Sequence, residues 1–181
     1  FNMLRKHIKI EPLRWYYHSD RLGMLVWQDM VNGGGRYKPL HISAPLVLHN
    51  SHRDSDYAYF AREDAAGRAR YGTELTETVE LLYNSPSVCL WVPFNEGWGQ
   101  FDAGEAAARI RALDDTRPID HASGWHDQGA GDLKSLHVYF MPYRFRRDRL
   151  NRAVALTEFG GYGCRIPGHC HSDRAFGYKR L

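Results

Sequence analysis

Short, nearly unbroken apolar runs alternate with amphipathic stretches along this chain, and that alternation limits its fold more than any other feature. Met24–Met30 is apolar but for Gln28 and Asp29, and Val88–Glu96 is apolar until it reaches Asn95 and Glu96. Runs of this kind suit strands buried on both faces. Between them lie segments with helical spacing. Pro12 opens one that runs to Leu22, with Trp15, Tyr16 and Leu22 as packing residues, and Gly23 ends it. A longer helix runs through about Leu82, where Tyr71, Leu75, Val79 and Leu82 make one apolar stripe before Asn84-Ser85-Pro86 breaks it. Ala103, Ala106, Ala107, Ile110 and Leu113 mark another. Strands alternating with helices predict a parallel sheet with crossover helices.

Further strand candidates are Asn2–Ile8, Pro118–Ser123, Leu136–Phe140 and Ala153–Phe159. The repeating unit points to an α/β fold, a (β/α)8 TIM barrel, of which six strands are visible here. Residues 31–55 carry Gly33-Gly34-Gly35, Pro39 and Pro45 without periodicity, a connection long enough to be functional or mobile. The link near His126–Lys134 is too glycine-rich and short for a helix. The densest basic run, Arg144, Arg146, Arg147, Arg149 and Arg152 with Asp148 inside it, reads as a solvated helix face.

With 181 residues, 43% of them hydrophobic, the chain can bury one good core. A net charge of +3 makes no case for nucleic acid or a membrane surface, and no apolar run approaches the ~20 residues of a membrane span. The chain begins at Phe1 inside a strand-like segment, so it reads as an internal piece of a longer protein. A missing targeting signal then carries no weight, and the compartment stays open between cytoplasmic and secreted. Cys89 reads as a small buried hydrophobe. Cys164 and Cys170, beside His169 and His171, match no common zinc spacing, and a disulfide between them is possible but unsupported. No metal is assigned, and no cofactor.

Chemistry enters with two strand ends. Trp91-Val92-Pro93-Phe94-Asn95-Glu96-Gly97-Trp98-Gly99-Gln100 carries a buried strand into an Asn-Glu pair, and Ala153–Gly161 repeats the arrangement around Glu158. A carboxylate at the end of a buried strand is costly unless a site uses it. Alone, each reads as a salt-bridged strand end; together they read as the paired carboxylates of glycoside hydrolysis, at the barrel face where catalytic groups lie. Two neighbouring carboxylates do not readily both ionise. One pKa is therefore expected to rise, giving Glu96 the proton of a general acid and leaving Glu158 the nucleophile. Asn95 can donate to a sugar hydroxyl, His137 is expected to bind substrate beside Tyr139, and Tyr139 can hydrogen-bond the nucleophile or simply be a satisfied core tyrosine. Trp27, Trp98 and Trp125, at or just past strand ends, can pack on sugar faces or in the core. Arg5 and His7 either orient Glu96 or Glu158, bind substrate, or pair with Asp20 or Asp29.

On these residues, from Asn2-Met3-Leu4-Arg5-Lys6-His7 through Asn95–Gln100 to Thr157-Glu158-Phe159-Gly160-Gly161, the chain resembles glycoside hydrolase family 2, the group of β-galactosidases, β-glucuronidases and β-mannosidases. The resemblance implies that residues 1–181 are part of one catalytic barrel, about strands two to seven, with β-sandwich domains before it. It implies a retaining, exo-acting β-glycosidase, β-galactosidase-like, with Glu96 as acid/base, Glu158 as nucleophile, Asn95 on the 2-hydroxyl and Tyr139 near the nucleophile. Only Lys6 separates Arg5 from His7, where better-known members have two residues and then His-Tyr-Pro. Asp29 stands where some members have a glutamate. A β-glycoside substrate is the expected partner, with no nucleic acid, no membrane and a possible homo-oligomer through the absent domains. The competing readings are a carbohydrate-binding barrel without turnover, and a metal-dependent hydrolase using the carboxyl-terminal His and Cys residues.

Overall fold

The computed structural model describes residues 1–45, 51–140, 142–170 and 177–180. Three parallel strands, β1 (Met3–Lys6), β2 (Leu25–Asp29) and β3 (Val88–Val92), lie side by side in that order. A second parallel pair follows, β4 (Leu133–Val138) and β5 (Ala153–Phe159). Two-residue strands β6 (Tyr162–Gly163) and β7 (Lys179–Arg180) pair beyond them. The helices are α1 (Leu13–Leu22), α2 (Pro39–Ser43), α3 (Ala65–Leu82) and α4 (Ala103–Leu113). Parallel neighbours joined by crossover helices are the TIM-barrel unit, and among the described residues the ring of strands stays open.

The expected strand Pro118–Ser123 is only partly formed. It bridges Trp91 to Ile119 and Asn95 to Ser123, both parallel, and never becomes a continuous ladder. Prolines explain the gap: Pro93 and Pro118 have no N–H to give, and the Pro93 carbonyl already accepts from Tyr71 Oη at 2.7 Å. On its other side the segment meets β4, where Asp132 N donates to Ile119 O at 2.9 Å. It therefore occupies the stave between β3 and β4.

The core lies between the strands and the helix layer. The stripe read from sequence, Tyr71, Leu75, Val79 and Leu82, is buried on α3 against Val26, Trp91 and Phe94 of the sheet and Ala107 and Ile110 of α4. Each fully buried aliphatic chain contributes roughly 1.5–3 kcal/mol. Asp64 caps α3 by accepting from Ala66 N at 3.0 Å, and Gly23 closes α1 in the left-handed region at φ 66°. The stretch 126–132 holds no helix, as its glycines predict.

Two expectations fail here. The basic run 142–152 is not a helix face, because no helix forms there. Arg152 instead turns inward to ion pairs with Asp127 and Asp148, at 2.5 and 2.8 Å. Trp27 sits mid-strand, opposite Arg5 and Leu90, rather than at a strand end. Cys89, Cys164 and Cys170 are all free thiols, so the described residues contain no disulfide. His171 falls outside the described residues. No described helix is long and apolar enough to cross a membrane.

Candidate active site

The carboxyl ends of the strands bring the polar residues together. Arg5 comes from β1, Asp29 ends β2, Asn95 and Glu96 follow β3, and His137 and Glu158 lie side by side in the register of β4 and β5. Tyr139 is the first residue after β4.

Arg5 is the hub. Its Nε and Nη2 grip the Asp29 carboxylate at 3.0 and 3.1 Å. Nη2 also donates to Asn95 Oδ1 at 2.7 Å, while Nη1 donates to Glu158 Oε1 at 2.9 Å and to His137 Nε2 at 3.3 Å. A guanidinium has five N–H donors, and all five have acceptors here. Arg5 therefore orients Glu158 and has no donor left for a ligand. Asp29, 1% exposed, is the counter-charge that makes its burial tolerable, and it also takes His7 Nδ1 at 3.0 Å. That bond raises the His7 pKa above its ordinary value despite partial burial. Of the outcomes open for Arg5 and His7, pairing with Asp29 is realised for both, and contact with Glu158 for Arg5 as well. Asp20 is used elsewhere, accepting from Ser87 N at 2.8 Å.

The Arg5 contact also decides the imidazole tautomer. Arginine only donates, so His137 Nε2 accepts and Nδ1 carries the hydrogen, directed at Glu96 Oε1 2.8 Å away. Tyr139 Oη stands 2.6 Å from Glu96 Oε1 and 2.6 Å from Glu158 Oε2. Burial, then the two carboxylates, push its phenol far above the ordinary range, so the hydroxyl keeps its proton. One hydroxyl has one hydrogen. Both short contacts are hydrogen bonds at once only when one carboxyl holds a proton and donates it to Oη. An oxygen of each glutamate and a ring nitrogen of His137 lie within 4.8 Å of one another. A cation at that point would compete with Arg5, Tyr139 and the Nδ1 hydrogen, since each of these atoms is already engaged.

The expected upward push on Glu96 is reversed. Burial does raise its carboxyl, but hydrogen bonds from His137 and Tyr139 outweigh burial and hold it below the ordinary carboxylate range. Position is also imposed on Glu96 by backbone: its φ is 52°, a left-handed value that costs a residue with a Cβ roughly 1–2 kcal/mol.

A cavity of ≈ 490 Å³ opens over this arrangement, lined by His7, Asn95, Glu96, Tyr139, Glu158 and Tyr178 among others. Three residues expected to touch substrate are placed otherwise. The His137 side chain is 0% exposed, enclosed beneath both glutamates, so it can act only through them. Trp125 is buried with its ring against His137, 6.5 Å between centroids. Trp98 packs edge-on to Tyr37 at 4.8 Å, outside the cavity lining. Residues to which sequence assigned no role also line the cavity, namely Thr157, Phe159, Gly161 and Tyr178. The first two flank Glu158 and carry a positional signal; Tyr178 carries none.

Comparison with known proteins bears on the fold and the family. Residues 10–155 match the family described as "Glycosyl hydrolases family 2, TIM barrel domain". No curated protein matches the chain. Among solved structures, a β-D-glucuronidase from Dictyoglomus thermophilum aligns over 98% of this chain and 33% of its own, with 17% identity and a TM-score of 0.64. A β-galacturonidase of the same family from Eisenbergiella tayi, bound to galacturonate, aligns over 93% and 32%, with 16% identity and a TM-score of 0.60. A β-glucuronidase from Bacteroides uniformis aligns over 76% and 16%, with 19% identity and a TM-score of 0.53. The chain spans a third or less of the length of each, and at these identities the likeness is one of fold.

Proposed function

The chain belongs to glycosyl hydrolase family 2, and from that premise we propose that it forms part of a retaining, exo-acting β-glycosidase using Glu158 as nucleophile and Glu96 as acid/base. The observation that carries this reading is the Tyr139 hydroxyl, 2.6 Å from a carboxylate oxygen of each glutamate. Oxygens so bridged lie no further apart than twice that length. A retaining enzyme holds its carboxyls about 5–5.5 Å apart, whereas an inverting one needs about 6.5–9.5 Å to admit water.

In the first step Glu158 Oε attacks the anomeric carbon while Glu96 passes a proton to the glycosidic oxygen, and the carbon–oxygen bond to the aglycone breaks. In the second, Glu96 takes a proton from water as that water attacks the same carbon and releases Glu158. Arg5 holds the Glu158 carboxylate in place through its 2.9 Å contact. Glu96 starts from a depressed pKa, so it takes up its proton as a bound sugar displaces water from the cavity and strengthens the burial that already favours the neutral form. Asn95, its Oδ1 held by Arg5, presents its N–H donors to the ring hydroxyls. The sugar is β-linked; β-galactoside is the first to try, with β-glucuronide, β-galacturonide and β-mannoside beside it.

The test is a panel of nitrophenyl β-glycosides of these four sugars, with the anomer of the first product read by proton NMR. Retained β-configuration and loss of turnover in Glu158→Ala, partly restored by azide with inverted product, are expected. An α-configured first product or unchanged Glu158→Ala activity rules the mechanism out.

A further inference from the structure

The turn that carries Glu96 is strained and unusually well tied. Glu96 and Asp102 both hold left-handed backbone without being glycine, at φ 52° and 42°. Gly97 and Gly99 share that region at 71° and 64°, where a Cβ would meet His126 Cδ2 and the Gly33 carbonyl oxygen at 2.5 Å each. Strain of this kind persists only where the surroundings over-determine it. The over-determination is concentrated in a pair of buried side chains outside the cavity. Gln100, 0% exposed, donates from Nε2 to Asp54 Oδ2 at 3.0 Å and to His126 O at 3.0 Å. The same Asp54 oxygen accepts from Ala103 N, at the start of α4, at 2.9 Å. Asp54 N faces Gln128 Oε1 at 3.4 Å. Three connections that follow successive staves, those containing Asp54, Gln100 and His126, are thereby clasped at one buried carboxylate.

We propose that Asp54 and Gln100 are a positioning pair for Glu96, holding its turn so that the carboxyl meets His137 Nδ1 and Tyr139 Oη. Neither residue lines the cavity. Their effect reaches the chemistry through one group alone, the proton donor. Removing the clasp lets the turn relax toward right-handed backbone and takes the Glu96 carboxyl out of line with its two donors. This rests on the reading of Glu96 as the acid.

The experiment compares Asp54→Ala, Gln100→Ala and the milder Asp54→Asn with the unaltered protein, using 2,4-dinitrophenyl and phenyl β-glycosides of whichever sugar the panel selects. A dinitrophenolate leaves without a proton; phenolate needs one. The alanine variants are expected to lose roughly 10- to 100-fold in kcat/KM, which reports the first step alone, on the phenyl glycoside, the scale of a small displacement of a catalytic group, and much less in kcat/KM on the dinitrophenyl one. A second readout needs no turnover: the Glu96 carboxyl resonance in 13C-glutamate-labelled protein, identified with Glu96→Gln, titrates at higher pH in both alanine variants than in the unaltered protein. Equal losses on both substrates, an unmoved titration, or loss of folded protein in all three variants overturns the proposal and leaves the clasp a purely structural tie. If the unaltered protein cleaves no glycoside, the proposed function fails, and the titration still decides the clasp.

Discussion

Arg5 and Glu158 are separated by 153 positions of chain and meet at 2.9 Å. Arg5 also holds Asp29, Asn95 and His137, so one guanidinium fixes groups from four strand ends.

Replacing Arg5 therefore tests stability and catalysis together. Arg5→Ala strands the buried Asp29 carboxylate, and unfolding free energy is expected to fall by about 3–5 kcal/mol, measured by denaturant titration. Arg5→Lys keeps the charge but not the five-point fork, so it recovers part of the stability while kcat remains roughly 100-fold down. Full activity in Arg5→Lys would show that charge alone suffices.

Tyr139→Phe removes the hydroxyl between the two glutamates. Glu96 loses one of the donors that hold its pKa down, so its pKa rises and the acid form persists to higher pH. The alkaline limb of kcat/KM is expected to move upward even as kcat falls by about 100-fold, the scale of removing one preorganised donor. A limb that stays put or moves down contradicts the role given to Tyr139.

Burial, with His52 nearby, pushes the His126 imidazole down to about 4. Its unfolded value is about 6.5, so between those two pH values the unfolded chain binds more protons than the folded one. The His126 contribution is whole above pH 6.5 and is lost as pH falls toward 4, by on the order of 3 kcal/mol. Protonation also removes the Nδ1 acceptor that takes His52 N at 3.1 Å. Denaturant midpoints across this range should show the slope, and His126→Gln should flatten it; an equal slope in that variant assigns the effect to other groups.

Much of the fold is legible in local sequence. The spacing of Tyr71, Leu75, Val79 and Leu82 predicts α3 because residues three and four apart share a helix face, and the structure buries that stripe. The apolar runs of β2 and β3 are legible for the same kind of reason. Pro118–Ser123 is harder, since its rungs depend on Pro93 and on Tyr71, which lie far from it in sequence. The basic run misleads because Arg152 finds Asp127 only across the fold.

In the candidate site, sequence marked Glu96 and Glu158 through costly carboxylates at the ends of apolar strands. It could not tell that His137 would be enclosed while His7 stays at the rim, nor that Asp54 would reach Gln100.

Local pattern alone determined the strand–helix alternation and the two acidic strand ends, because hydrophobic periodicity and the desolvation of a carboxylate are properties of neighbouring residues. Only the tertiary structure decided which donors each carboxylate receives, and with them the depressed pKa of Glu96. Hydrogen bonds act over about 3 Å, and the side-by-side packing of parallel strands brings their ends together at that range without regard to their order in the chain.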